Sequence, residues 1–366
     1  MSTRSSAKPS AVNIDWAEYS YNNPSSFLKG GGNKWSLDVF SSESSKGGFL
    51  TKLVLFNEII LVAVLVVISA AISIGTSQFY STSNILNILR DSSMAIIAGI
   101  GMTMLLITGE VDLSIGSLVA FVGVVTMDII NKTNSVFLGV LAGLGLGAVT
   151  GLVNGLVRTK LKVNSLIGTI AMMMILRGSV YLYKLEAVQN YHQLETFYSV
   201  GNGYLGFMPI PVIIMVILYV VFLVILYRTV PGRRLYATGG NEIAAKISGI
   251  KVDNLKILTF VANSVFAAIS GIILVSRMNS GQPNAGVGFE LMVISGVILG
   301  GTSLGGGEGT LVGTLVGLLI LRVINNGIII LRWNQDLQIV ISGLIIILAV
   351  YIDNKRKVAR SKIITT

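Results

Sequence analysis

Past residue 52 the chain alternates long apolar runs with short polar ones. The runs fall at residues 53–74, 95–108, 115–130, 136–157, 166–183, 210–227, 257–275, 291–299, 311–331 and 337–351, and the second is preceded by an amphipathic stretch at 84–91. A helix needs roughly 20 apolar residues to cross a bilayer. The pattern therefore predicts an all-α integral membrane protein with about ten transmembrane helices, several of them short.

Two of the short spans are interrupted in a particular way. The segment Gly109-Glu110-Val111-Asp112-Leu113-Ser114-Ile115-Gly116 places two carboxylates inside apolar sequence. In the other half, Gly300-Gly301-Thr302-Ser303-Leu304-Gly305-Gly306-Gly307-Glu308-Gly309 is a second glycine-rich break. Irregular backbone at membrane depth survives only where protein or a watery cavity satisfies its polar groups. Paired glycine-broken segments in corresponding halves mark a transporter's pathway. Gly109, Glu110, Asp112, Ser114, Gly300, Gly301 and Ser303 are thus candidates for pathway or gate. Val153-Asn154-Gly155 and Asn325-Asn326-Gly327 are each followed by a polar stretch and a span and suggest two halves in inverted orientation, adding Asn154 and Asn326 to the candidates. Glu110 and Asp112 carry two readings of equal weight: a buried polar cluster shaping the pathway, or carboxylates bonding the amides at the start of the third span. A proton relay would need carboxylates in series, and the other spans hold too few. Arg177, inside the fifth run, reads as snorkelling to an interface marked by Tyr181 and Tyr183.

Composition agrees with the pattern: 52% of the 366 residues are hydrophobic and 12% charged, outside the soluble range. The formal charge of +10 would suggest nucleic acid in a soluble protein. Here it is gathered at Arg158, Lys160 and Lys162, in the loop 228–256, and at Lys355, Arg356, Lys357, Arg360 and Lys362. Lys and Arg are retained on the inner side of short loops, so topology accounts for the charge and no nucleic acid is expected. An even number of spans starting inside puts all three clusters and both termini in the cytoplasm. It leaves residues 184–208, with Glu186, His192 and Glu195, outside. Cysteine is absent, which excludes disulfides and thiolate metal sites. Residues 1–52, rich in Ser, Gly and Asn, read as a disordered cytoplasmic extension without the apolar core of a signal peptide. Residues 53–353 form the membrane domain and 354–366 a basic cytoplasmic tail.

The longest strongly polar segment between two spans is 228–256, with six basic residues. Within it, Asn241 can cap a short helix through Ile247 that Gly249 ends, led in by Gly239-Gly240. Catalytic chemistry is poorly served. Gly301-Thr302-Ser303-Leu304-Gly305 satisfies the nucleophile-elbow spacing, but that motif needs a following histidine, and the one histidine, His192, lies upstream. No Gly-x-x-x-x-Gly-Lys-Ser/Thr occurs, so energy would come from another polypeptide. No catalytic, cofactor or metal residues are expected. Asn131-Lys132-Thr133 is a formal glycosylation sequon.

Thr238-Gly239-Gly240-Asn241-Glu242-x-Ala244-Ala245-x-x-x-Gly249-Ile250 resembles the coupling loop of bacterial monosaccharide permeases of ATP-binding-cassette importers. Gly109 to Gly116 is similar to that family's first glycine and acid signature, and Leu299 to Thr310 to its second. Arg177-Gly178 and Asn202-Gly203-Tyr204 also match, and the likeness runs from roughly 55 to 353. The resemblance implies a permease importing a pentose or hexose. It also implies a second permease copy, as a homodimer or a heterodimer, a cytoplasmic ATPase docked on residues 241–249, and a periplasmic or lipid-anchored sugar-binding protein. Gly239, Gly240, Asn241, Glu242, Ala244, Ala245 and Gly249 would form the coupling site in a bacterial inner membrane. An autoinducer-2 or nucleoside permease and an ion-coupled secondary transporter stay open as alternatives. The long N-terminal extension departs from the family pattern.

Overall fold

The protein is described here by a computed structural model covering residues 58–334 and, beyond them, 336–341, 343–345, 347, 348 and 351. The extension expected over 1–52, the tail over 354–366 and part of the run at 337–351 lie outside the described residues. The helices are α1 (Glu58–Gly75), α2 (Thr82–Ile107), α3 (Ile115–Thr133), α4 (Val136–Thr159), α5 (Ser165–Tyr183), α6 (Glu195–Asn202), α7 (Ile210–Arg228), α8 (Val230–Gly240), α9 (Glu242–Ile247), α10 (Val252–Met278), α11 (Phe289–Leu299) and α12 (Leu311–Ile330). Two-residue strands pair Val188 with Gly281 and Tyr204 with Pro209.

Among the described residues eight helices are long and apolar enough to cross a membrane, and α11 is a shorter apolar helix. The count of ten expected from the runs is therefore not reached within them. The boundary of the second span also differs: the amphipathic stretch at 84–91 and the run at 95–108 form one continuous helix, α2, capped by Ser81 on the Asn84 amide. Charge does not break it because each charged side chain finds a partner inside the protein. Asp91 accepts an ion pair from Arg277, while Arg90 stacks on the Tyr204 ring, 4.5 Å from its centroid.

Helices α2, α3, α10 and α12 form the buried centre, with α1, α5 and α7 exposing most of their apolar surface. Apolar burial gives helices in lipid little net drive to associate, so close backbone contact has to supply it. Helix α4 provides this with a stripe at every fourth residue, Gly143, Gly147, Gly151 and Gly155. A methyl at Gly147 would lie 2.7 Å from the Ala268 Cβ, one at Gly151 2.6 Å from the Phe260 oxygen, and one at Gly155 2.8 Å from the Ile257 Cα. Helix α10 therefore lies directly on the α4 backbone. Gly145, on the same helix, faces open space. Gly151→Ala is expected to destabilise by about 1–3 kcal/mol through overpacking. Gly145→Ala should instead stabilise by up to about 1 kcal/mol through helix propensity. Thermal melting of the two variants in detergent checks the contrast.

Residues 108–114 do not leave the bundle. Asp112 accepts a hydrogen bond from Asn263, whose Cα lies 2.7 Å from where a Gly101 Cβ would sit. Gly101 is six residues before the end of α2, so the chain climbs back about 9 Å along α2 before α3 begins. Residues 281–286 penetrate in the same way. Gly281 packs on the backbone of Gly123 and Val124 and Gly286 on Gly116, so α11 starts well inside the bundle. Arg177 donates to the Pro283 and Ala285 carbonyls at 2.9 and 3.0 Å. Its charge is held by these loop carbonyls, a partner that the snorkelling reading did not include.

Candidate functional site

Helix α9 forms because Asn241, in extended conformation, accepts a hydrogen bond from the Ala244 amide at 3.0 Å. It ends because Gly249, at φ +81°, adopts the left-handed region. Both caps follow the sequence reading. The preceding glycines differ from it: Gly239 and Gly240 are the last residues of α8, a helix where only loop was expected. Pro231 suits the first turn of α8, and the Tyr236 hydroxyl pins it by donating to the Gly309 carbonyl at 2.8 Å.

At the end of α8 three chain segments meet on glycine. The Gly307 amide donates to the Ile107 carbonyl at 2.8 Å. A Cβ on Gly239 would lie 1.7 Å from that carbonyl oxygen and 2.4 Å from that amide nitrogen. Gly306 and Gly307, at φ +81° and +77°, bring their backbone to within van der Waals range of Gly109, Gly239 and Gly240. The two glycine-broken segments and the approach to α9 are thus one junction, with room for backbone and no side chain. Gly300 packs against Gly313 of α12, where a Cβ would lie 2.4 Å from the Gly313 carbonyl carbon. Gly301, at φ +94°, turns the chain out of α11. Ser303 holds the next turn, its amide donating to the Glu308 carbonyl at 3.1 Å and its hydroxyl accepting from the Gly305 amide at 3.2 Å.

A chain of charges runs from α9 into the bundle. Lys246 donates to Glu242 at 2.6 Å, and Lys256, at the start of α10, donates to Glu242 at 2.8 Å and to Glu110 at 2.6 Å. Arg158, at the end of α4, holds both Glu110 oxygens at 2.8 and 2.7 Å. The Glu110 and Lys256 side chains are 2% and 5% exposed, so this is a buried pair rather than a surface one. The bonds from Lys246 and Lys256 hold the Glu242 carboxyl down to about 2 from an ordinary 4.5. Its contribution is therefore complete above about pH 4.5 and lost only as pH falls toward 2.

Asp112 is fully buried and sits two residues further in. One of its oxygens accepts from the Ser114 amide and hydroxyl at 2.8 and 2.6 Å, the other from Asn263 and Asn154 at 3.1 and 3.4 Å. Asn154 also donates to the Ser114 hydroxyl at 3.0 Å. The bond to the Ser114 amide is the capping interaction anticipated for Asp112, while Ser114 itself makes no side-chain cap bond. Asn326 lies elsewhere, in a reciprocal amide pair with Asn84 at 3.0 and 2.8 Å near the other end of the bundle.

Sequence reasoning misses Arg158, Lys256, Asn263, Gly306 and Gly307 as members of this site. The two cations read there only as topology signals. Lys256 does carry a further sign, because it lies immediately before an apolar run and needs a partner there. The first two basic clusters converge on a cleft of about 610 Å³ lined by Arg158, Lys160, Lys162, Lys246 and Lys251.

Residues 84–350 match a family model described as "Branched-chain amino acid transport system / permease component". The chain belongs to that permease family. The permease is 39% identical over 314 residues to the Ribose import permease protein RbsC of Escherichia coli K12, covering 84% of the chain and 97% of the relative. It is 38% identical over 289 residues to RbsC of Bacillus subtilis 168, covering 78% and 89%. Against the L-arabinose transport system permease protein AraH of Escherichia coli K12 it is 38% identical over 303 residues, covering 82% and 91%. No solved structure matches it. Glycine-broken helices and a capped, charge-tethered helix outside the spans are thus found in a chain whose relatives are transport subunits of membranes.

Proposed function

We propose that this permease is the membrane subunit of an ATP-binding-cassette importer that carries a monosaccharide, a pentose or hexose, into the cytoplasm. The relatives named for ribose import and L-arabinose transport support the substrate class. The observation that carries the mechanism is the connection of α9. Ile243 and Ile247, 72% and 83% exposed, form an apolar ridge one turn apart on a helix whose Glu242 is tied through Lys256 to buried Glu110. An apolar ridge suits a groove on a partner, and a rigid tether passes displacement inward. On this reading the α9 face and both termini are cytoplasmic, and a separate ATPase seats on Ile243 and Ile247. A second permease copy completes the pathway, and a periplasmic or lipid-anchored sugar-binding protein lands on the opposite loop, where Leu185, Tyr191 and Phe207 are exposed. Closure of the ATPase domains would move α9, and the glycine junction would transmit that motion to the ends of α2 and α11, changing access to a central path. Glu110 and Asp112 then serve as links in transmission and not as proton carriers.

Purification of the permease from its native membrane in mild detergent, followed by reconstitution with what accompanies it, tests this. An ATPase and a binding protein should co-purify, and ATP inside the vesicles should drive uptake of a pentose or hexose from a sugar panel. Uptake that survives without ATP and collapses with the ion gradient would contradict it, as would transport of no sugar in the panel.

A further inference from the structure

A second cavity, of about 250 Å³, lies on the far side of Asp112 from α9. Its lining includes Asp91 of α2, Ser270 of α10, Phe289 and Met292 of α11, Arg322 of α12, and Gln338. It opens where α11 begins inside the bundle, and Gly288, at φ +76°, starts that helix with no side-chain cap. Among the described residues the Nε of Arg322 is buried and has no hydrogen-bond partner. A buried N–H without its hydrogen bond is costly, so this one unpaired nitrogen beside a cavity marks a place for a ligand or for water.

We infer that this cavity, with Arg322 at its centre, is a subsite in the permease that hydrogen-bonds a small polyhydroxylated ligand on its way through. The inference rests on the sugar-importer reading and adds the residues that hold the cargo. Three features select a polyol. The cavity combines a guanidinium donor with a carboxylate, an amide and a hydroxyl, which serves adjacent hydroxyl groups that both donate and accept. The Phe289 ring and Met292 give an apolar wall for the face of a sugar ring. The volume lies below the ~300–1,000 Å³ typical of sites for drug-sized ligands and so suits a five- or six-carbon molecule. A simple anion fits less well, because the Asp91 carboxylate, paired with Arg277, lies in the same wall. Few strong contacts and several weak ones also fit passage, since a tight site would hold the cargo back.

The chain contains no cysteine, so one introduced thiol reports one place. In the full importer reconstituted in vesicles, Phe289→Cys should react with a small water-soluble methanethiosulfonate. D-ribose or L-arabinose at about 10 mM, a level that would occupy a millimolar site, should slow the reaction several-fold. Protection should vanish in Arg322→Ala and weaken in Arg322→Gln, with Tyr191→Cys on an exposed loop unaffected by either sugar. ATP-driven sugar uptake by the unmodified importer is recorded in parallel. Uptake without protection at position 289 would overturn the subsite and leave the importer reading intact. Protection by leucine and not by either sugar would likewise overturn it, in favour of a zwitterion bound between Asp91 and Arg322. Protection that persists in both Arg322 variants would remove Arg322 from the site. Absence of sugar uptake altogether would remove the importer reading and this inference with it.

Discussion

Gly239→Val is expected to leave the permease inserted in the membrane but to cut ATP-driven uptake at least tenfold, while Gly240→Ala retains it. The two glycines are adjacent, yet the first would place its Cβ 1.7 Å from the Ile107 carbonyl oxygen and the second would meet nothing within 4 Å. The atoms in the way at Gly239 are backbone of two other segments that already bond each other through the Gly307 amide, and no rotamer change can clear them. Overpacking of this kind costs about 1–3 kcal/mol, and each 1.4 kcal/mol of bias between conformations is about a tenfold change in population. Because the strain falls between α8 and the ends of α2 and α11, it should appear as ATP hydrolysis without matching sugar uptake. Hydrolysis and uptake measured on the same vesicles give the ratio directly. An unchanged ratio in Gly239→Val would show that the junction does not transmit the motion.

The second large effect is expected at Glu110. Arg158 and Lys256 both depend on it, and Lys256 is almost wholly buried. Removing one partner of a buried pair costs about 3–5 kcal/mol, because the remaining charge is stranded, whereas replacing the pair together by apolar groups is often nearly neutral. Glu110→Gln should therefore melt at a markedly lower temperature and lose coupled uptake. Lys256→Met should be milder, since Glu110 keeps Arg158. In Glu110→Gln with Lys256→Met, stability should recover above that of Glu110→Gln alone, the non-additivity expected of groups in contact. Coupling should stay low in the double variant, because Glu242 no longer has a route inward. Melting temperatures and uptake across this cycle separate the two roles, and additive losses would contradict the arrangement.

Much of this architecture is legible in the residues themselves. Apolar length marks the spans, and Asn241 and Gly249 bound α9 because caps obey local chemistry. The glycine breaks at 109 and 300–309 point to irregular backbone at depth. That they touch each other and Gly239 is not legible, since contact between segments nearly 200 residues apart leaves no local signal. Asn154 and Asn326 look alike in sequence, yet one bonds Asp112 and Ser114 while the other pairs with Asn84 at the opposite end. Their different partners come from other helices. Lys256 and Arg158 read as topology markers because a lysine or arginine at a span end ordinarily is one. Their pairing with Glu110 depends on α10 lying against α4, and that packing is written in the sequence as Gly147, Gly151 and Gly155. Arg322 shows the limit most clearly, for its significance lies in an Nε that has no partner among the described residues.

Work is proposed to enter this permease through α9. With no native cysteine in the chain, Ile243→Cys and Ile247→Cys provide single reporters on its exposed ridge, to be joined to the co-purifying ATPase with a short bifunctional maleimide. A permease–ATPase adduct is expected from both positions, with a yield that changes when ATP is added, and none from Tyr191→Cys on the opposite loop. An ATPase that stays bound yet gives no adduct from either α9 position would contradict it.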